Sequence, residues 1–142
     1  GNFNVSKFGG YRPGCGGFID IPLGIRDLIF CGTFTTGGLQ ESIGGGRLDI
    51  IQEGTTRRFV DQVEQITMNG PLTMTRRHRV RVVTERALFE LSPAGLSLDA
   101  VAPGIDVRRN VLDLIPFEVR IRPELGELSD AYYTADSRAA LT

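Results

Sequence analysis

The segment between residues 78 and 101 constrains the fold most, because apolar and polar residues alternate along three consecutive runs. Residues 78–84 are rich in β-branched side chains, which favour strands. Residues 87–91 form the second run, and a Ser-Pro-Ala-Gly turn at residues 92–95 leads into the third at residues 96–101. This spacing predicts a β-hairpin or a three-stranded meander.

Earlier segments indicate further elements of mixed type. The short apolar run at residues 27–32 is bounded by turn residues, which is typical of a buried strand in a parallel sheet. Residues 47–52 alternate and predict another strand. Residues 18–26 suit a short helix with Pro22 in its first turn. Residues 59–68 fit either a helix face or an edge strand.

The last third of the chain predicts helix, strand and helix in turn. Asp106 is a suitable N-cap for a helix over residues 107–114. A short strand at residues 117–122 and a last helix at residues 124–133 follow, and residues 134–142 are typical of a fraying tail. Pattern alone leaves α/β and α+β folds open.

Composition narrows the class of protein. With 142 residues, 41% of them hydrophobic, the chain can form one domain around one core. A net charge of −1 gives no overall attraction to nucleic acid or an anionic membrane. No apolar run is long enough to span a bilayer, and no secretory signal is present, so we expect a cytoplasmic protein. Because the sequence begins with Gly1 instead of Met, we expect it to be part of something longer.

Two cysteines and one histidine give little metal or redox chemistry. We expect Cys15 and Cys31 to be small buried or loop thiols without a disulfide. His78 is the only histidine, so a zinc site would lack ligands.

Glycine is clustered in two loops that have either a structural or a chemical purpose. The chain holds 18 glycines, most of them before residue 54, which indicates turns or backbone that approaches another group closely. The loop at residues 9–17 could simply turn, or its N–H groups could stabilise an oxyanion. The loop at residues 33–38 follows a predicted strand, where open α/β sheets bind ligands, but it could equally be a plain connection.

Four stretches, taken in order, carry a family resemblance. They are residues 4–7 with 14–20, residues 30–39, residues 63–67, and residues 83–89 with 102–106. In this order they resemble the C-terminal, β-subunit-like portion of family I coenzyme A transferases. The resemblance is strongest to short-chain acyl-CoA:acetate or propionate CoA-transferases, and it covers roughly residues 1–122.

The resemblance implies an α/β fold with the open, mainly parallel sheet of the CoA-transferase type, partial here, and a β-rich C-terminal hairpin or meander. Residues 1–125 would belong to the β-like domain, and residues 126–142 would form a terminal helix and flexible tail. Such enzymes transfer CoA from an acyl-CoA to a free carboxylate through a glutamyl-CoA thioester. The substrates are therefore CoA thioesters and short-chain acids, and no metal or prosthetic group is expected.

The family nucleophile is a glutamate upstream of the stretch that matches residues 4–7, so we expect it to lie outside this chain. The chain alone would then be inactive. Its partner would be the N-terminal portion of the same enzyme, and a homo-oligomer is expected.

The resemblance also assigns site residues. The backbone N–H groups of Cys15, Gly16 and Gly17 would form an oxyanion hole opposite the catalytic glutamate. Residues expected to bind substrate are Gly14, Thr33, Phe34, Thr35, Gly37 and Gly38. We interpret Glu41 as a solvated residue at a turn or helix end, and Glu85 as a cross-strand or capping residue. The basic run at residues 76–79 could contact CoA phosphates, although a solvated loop is the favoured interpretation.

Two alternatives remain at this point. The chain could be part of a related lyase, decarboxylase or hydrolase that acts on CoA thioesters with the same fold. It could also be a non-catalytic interaction module. The residues upstream of Gly1 would distinguish them, since a transferase needs its glutamate there.

Overall fold

The computed structural model describes residues 1–76 and 79–134. The strands are β1 (Asp27–Cys31), β2 (Thr35–Thr36), β3 (Gln40–Gly44), β4 (Arg47–Gln52), β5 (Thr56–Arg57), β6 (Arg79–Val83), β7 (Ala87–Ser92), β8 (Gly95–Val101) and β9 (Arg120–Glu127). The α-helices are α1 (Ile21–Gly24), α2 (Gly70–Thr75) and α3 (Val107–Asn110). Short 3-10 helices cover Gly16–Phe18, Leu112–Leu114 and Asp130–Tyr133.

Five strands form the central sheet in the order β1-β6-β7-β8-β9. The predicted meander is confirmed, because β6, β7 and β8 pair as antiparallel neighbours. The outer strands β1 and β9 pair in parallel with β6 and β8. The expected open α/β sheet is therefore confirmed, and among the strands of this sheet its pairing is mixed.

Alternation in the sequence becomes alternation in burial. In β7, Ala87, Phe89 and Leu91 are buried and the residues between them are only partly covered. Successive side chains of a strand point to opposite faces, so this pattern buries one face fully. Leu96 and Leu98 of β8 lie in the same core. Burial of this apolar surface is the main stabilising contribution, at about 25 cal/mol per Å².

Two small antiparallel pairs lie outside this sheet. Strand β4 has the predicted bounds, and its partner β3 was not predicted. Gly45 and Gly46 join them with φ of 61° and 78°, the left-handed conformation that tight hairpin turns require. Leu48 of β4 is fully buried in a second, smaller core with Tyr133.

Several predictions near the N-terminus need correction. Strand β1 pairs in parallel with β6, but it lies at the sheet edge and only Leu28 is buried, so the prediction of a buried strand was wrong. The predicted helix at residues 18–26 is reduced to α1, with Pro22 in its first turn as expected. Residues 59–68 form neither helix nor strand, apart from a single bridge between Met68 and Phe3.

The last third is also partly corrected. Asp106 caps α3 as predicted, since its carboxylate accepts a hydrogen bond from the Arg109 N–H at 2.7 Å. The helix predicted over residues 124–133 was wrong at its start, because β9 continues to Glu127. Only a 3-10 turn at Asp130–Tyr133 is helical there. The predicted tail beyond residue 134, and His78, lie outside the described residues.

Of the helices that the structure describes, none has the length and apolar character needed to cross a bilayer.

Candidate active site

The first and third matching stretches lie side by side. Phe3 pairs with Met68 through hydrogen bonds in both directions, at 2.9 and 3.1 Å. The Ser6 and Thr67 hydroxyl oxygens are 2.8 Å apart, and the Val5 N–H donates to the Thr67 hydroxyl at 3.2 Å. Segments separated by about sixty positions thus form one wall of the candidate site.

A tight hairpin turn follows that wall. The Phe8 and Tyr11 N–H groups each donate to the other residue's carbonyl at 2.8 Å. Gly9 and Gly10 occupy the two turn positions with φ of 53° and 87°, which other residues rarely adopt. The Gly9 N–H donates to the Glu64 carboxylate at 2.6 Å, which ties the turn to the segment behind it.

The glycine loop leaves several N–H groups free. Gly14 and Gly16 have φ of 82° and 50°, and a Cβ added to either would meet no atom within 4 Å. A short 3-10 helix begins at Gly16, and the first N–H groups of a helix have no acceptor within it. Within the described part of the chain, the N–H groups of Cys15, Gly16 and Gly17 make no hydrogen bond. They are available to an external oxygen.

An open cleft of about 340 Å³ lies against this loop. It is lined by Ser6, Arg12, Gly14, Cys15, Ile19, Gln65, Ile66 and Thr67. Among the three predicted oxyanion donors, Cys15 lies on the cleft, and Gly16 and Gly17 follow it at the exposed start of the 3-10 helix. A second cleft of about 200 Å³ shares Ile19, Ile66 and Thr67 with the first.

The second predicted substrate-binding loop is packed very differently. Phe34 and Thr35 are each only 1% exposed. The Phe34 N–H donates to the Glu85 carboxylate at 2.8 Å, and the Thr35 hydroxyl donates to Glu53. The Phe34 side chain therefore presents almost no surface to a ligand.

Other residues of this loop are exposed but held in place. Thr33, Gly37 and Gly38 are exposed. The Gly37 carbonyl accepts hydrogen bonds from the Thr55 N–H and hydroxyl, each at 3.1 Å. The Gln52 amide donates to the Gly38 carbonyl at 3.1 Å. A role for these residues in binding substrate stays a prediction.

A buried arginine organises this region. The Arg86 side chain is 0% exposed and forms ion pairs with Glu53 at 2.7 Å and Glu85 at 2.6 Å. It also donates to the Asn110 carbonyl at 3.1 Å. Its guanidinium carbon lies 4.8 Å from the centre of the Phe34 ring, a cation–π contact. These contacts join the second loop to the meander and to α3.

The charges around Arg86 shift one another's pKa. Burial lowers the pKa of Arg86, but its hydrogen bonds and ion pairs with the glutamates outweigh that effect and raise it. Burial also raises the pKa of Glu53, and the hydrogen bonds from Arg86 and Thr35 more than offset this, so its pKa is lowered. Burial and the neighbouring Glu85 raise the pKa of Glu41. Glu53 is therefore held ionised, whereas Glu41 is protonated more readily.

Glu85 and Glu41 lie in different surroundings. Glu85 lies between β6 and β7, where its carboxylate accepts hydrogen bonds from the Phe34 N–H and from Arg86, so its role is structural but is not that of a cross-strand pair or a helix cap. Glu41 is exposed, as expected, but it lies in β3 and not at a helix end or turn. Sequence reasoning missed the Arg86 cluster, because no local pattern brings residues 53 and 86 together.

The remaining candidates for site chemistry are the two cysteines and the potential metal ligands. Cys15 is half-buried and Cys31 is exposed, and both are free thiols. Within residues 1–76 and 79–134, no group of three or more His, Cys, Asp or Glu side chains could hold a metal ion.

The sequence is related to a segment of known CoA-transferases. It is 44% identical over 133 residues to acetate CoA-transferase YdiF of Escherichia coli O157:H7 and of strain K12. It is 32% identical over 139 residues to caffeate CoA-transferase of Acetobacterium woodii. Each match covers 94% of this chain. The chain spans about a quarter of the length of these relatives. No family model matches the chain.

Solved structures agree with this relationship. The apoenzyme of the acyl-CoA transferase YdiF from Escherichia coli O157:H7 aligns with a TM-score of 0.92 and 41% identity. Its thioester complex with CoA aligns with a TM-score of 0.91. Both alignments cover 95% of this chain and 26% of the solved one. The resemblance to CoA transferases is therefore confirmed, and the chain is similar in sequence and fold to a segment of such enzymes.

Proposed function

We propose that this chain is the oxyanion-binding portion of an acyl-CoA:carboxylate CoA-transferase that acts on short-chain acids such as acetate and propionate. The observation that carries the proposal is the set of unbonded N–H groups at Cys15, Gly16 and Gly17, beside an open cleft. The similarity to CoA-transferases over 94% of the chain supports it. We assign the intact protein to the cytoplasm and expect it to be a homo-oligomer.

The proposed reaction needs a glutamate from another part of the intact protein. Its carboxylate attacks the carbonyl carbon of the acyl-CoA. The C–S bond breaks, the CoA thiolate departs, and an acyl-glutamyl anhydride remains on the protein. The thiolate then attacks the glutamyl carbonyl carbon and releases the first acid, which yields glutamyl-CoA. A second acid reverses these steps and leaves as its CoA thioester. The covalent intermediate divides one difficult exchange into easier steps.

The role of this chain is to stabilise the charge that develops on the carbonyl oxygen. Each attack converts a planar carbonyl into a tetrahedral centre with a negatively charged oxygen. Fixed N–H donors aimed at that oxygen cost no reorganisation when the charge appears, and removal of one typically lowers kcat by about 10²–10³. Glycine at position 16 permits the left-handed backbone, with φ of 50°, that orients the donors.

Kinetics and mass spectrometry of the intact protein test the proposal. We expect ping-pong kinetics with acetyl-CoA and propionate, and a glutamyl-CoA adduct when the protein is incubated with acyl-CoA alone. A ternary-complex mechanism without a covalent adduct would refute the glutamyl-CoA route. Absence of CoA transfer to any acid would refute the proposed function itself.

A further inference from the structure

We infer that Arg12 selects the acyl group, by binding a second carboxylate carried by the acid, so that short dicarboxylic acids are preferred over simple ones. The inference rests on the proposed function, since it names the substrate class of the same cleft.

The backbone at Arg12 is held on both sides. The preceding Gly9-Gly10 turn is closed by the two 2.8 Å hydrogen bonds between Phe8 and Tyr11. The following residue is Pro13, whose ring restricts the residue before it to extended conformations. The side chain of Arg12 therefore starts from a fixed point at the rim of the cleft.

Among the described residues, the positive charge of Arg12 has no ion-pair partner. Among the residues that line the cleft, Arg12 alone carries a charge, and the other polar side chains there belong to Ser6, Cys15, Gln65 and Thr67. Within the described part of the chain, no carboxylate lies within ion-pairing distance of Arg12. An anion in this cleft would thus meet one cation and no carboxylate among the lining residues of this chain.

The position of Arg12 indicates an anion on the acyl side of the thioester. Arg12 and Cys15 are three residues apart, so their Cα atoms are at most about 10 Å from each other, and both line one cleft of about 340 Å³. The phosphates of CoA are separated from its thioester by the whole pantetheine arm, which makes them a poorer match for so near a cation.

A guanidinium is well suited to the proposed partner. Its planar fork donates two parallel hydrogen bonds to a carboxylate, and these charge-assisted bonds are about twice as strong as neutral ones. Lysine would supply the charge but not the fork. The chemistry therefore favours a carboxylate over an uncharged polar substituent.

The test compares acids that differ by one charge in the intact protein. With acetyl-CoA as donor, kcat/KM is measured for succinate and for monomethyl succinate, and propionyl-CoA replaces acetyl-CoA as donor when acetate is the acceptor. We expect succinate to exceed its monomethyl ester by about tenfold to a hundredfold, the usual range for a hydrogen-bonded charge pair. Arg12→Ala should reduce that ratio to near one, and Arg12→Lys should leave an intermediate ratio. Arg26→Ala, which removes an exposed arginine that does not line the cleft, should keep the wild-type ratio.

The outcomes separate this inference from the proposed function. If acetate is a substrate but succinate is no better than its monoester, the inference is wrong and the proposed function stands. An unchanged ratio in Arg12→Ala would equally overturn the inference. If Arg12→Ala instead raises the KM for acetyl-CoA with every acid and leaves the ratio intact, Arg12 contacts a CoA phosphate, and the inference fails. Failure to transfer CoA to any acid would refute both.

Discussion

The two glycine-rich loops look alike in sequence but differ in how much freedom the fold leaves them. In the first loop, a Cβ added at Gly14 or Gly16 would meet no atom within 4 Å, and the N–H groups of residues 15–17 have no acceptor among the described residues. The second loop is tied down by Glu85, Glu53 and the Thr55 side chain. Glycine thus permits an exposed, left-handed backbone in the first loop, whereas in the second loop it permits close packing against Thr55.

The two loops are held to different extents because different side chains pack against them. Behind the second loop is Arg86, fully buried and paired with two carboxylates, and a buried charge must keep its partners. Near residues 14–17 of the first loop is the neutral hydroxyl pair of Ser6 and Thr67, and the Glu64 carboxylate binds only the start of the loop, at Gly9. Phe34 and Thr35 of the second loop are buried and can act only through the residues around them. The first loop has free backbone donors that could bind an oxygen directly.

The largest expected effect is on turnover, at the first loop. Gly16→Val forces a β-branched residue into φ of 50° and shifts the N–H donors, so kcat should fall about 10²–10³-fold. The matched control is Gly45→Val, at φ of 61° and likewise with no atom within 4 Å of an added Cβ. Both variants should lose about 1–2 kcal/mol of stability. Equal kcat in the two variants would show that the first loop is only a turn.

The next effect is on stability, at the second loop. Arg86→Met leaves Glu53 and Glu85 without their cation, and breaking a buried pair in this way costs about 3–5 kcal/mol. Denaturant unfolding of the intact protein measures it. Arg47→Met removes an exposed ion pair with Asp49 and should cost less than about 1 kcal/mol. Similar midpoints for the two variants would contradict a supporting role for the Arg86 cluster.

A smaller effect separates close packing from open space. An added Cβ at Gly54 would lie 2.5 Å from the Thr36 carbonyl oxygen, whereas at Gly44 it would meet nothing within 4 Å. Neither glycine has a left-handed φ, so the comparison isolates steric contact. Gly54→Ala should destabilise by about 1–3 kcal/mol, the usual cost of overpacking. Thermal unfolding measures this, and the comparison fails if Gly44→Ala destabilises as much.

The smallest effect is on the pH dependence of stability. The folded pKa of Glu53 is lowered, so its contribution is present above its ordinary value of 4.5 and is lost as the pH falls through the folded pKa. Glu53→Gln should therefore lose less stability than wild type between neutral pH and acid. Glu124→Gln, at an exposed position of β9, should keep the wild-type profile. Parallel profiles for Glu53→Gln and wild type would contradict this assignment.

Sequence reasoning predicted what depends on neighbouring residues. The meander, β4 and the Asp106 cap follow from alternation and capping over a few positions, and the structure confirms them. Sequence reasoning was wrong where contacts between distant segments determine the secondary structure. The strand β9 is stabilised by pairing with β8, which overrides the helical tendency of residues 124–127.

The candidate site shows the same division. The loop at Cys15 could be found from its glycines and the family resemblance, because the donors proposed for it are consecutive backbone groups. The packing of Phe34 and Thr35 could not, because it depends on Glu53 and Glu85 far along the chain. The cleft wall formed by Ser6 and Thr67 is likewise a contact between distant segments.

A crystal structure of the intact protein with an acyl-CoA trapped before transfer would test the central claim most directly. The distance to measure joins the thioester carbonyl oxygen to the backbone nitrogens of residues 15–17. Our account predicts at least one nitrogen about 2.7–3.1 Å from the position that the developing oxyanion occupies. A carbonyl oxygen bound by other groups, with these three nitrogens facing solvent, would contradict it.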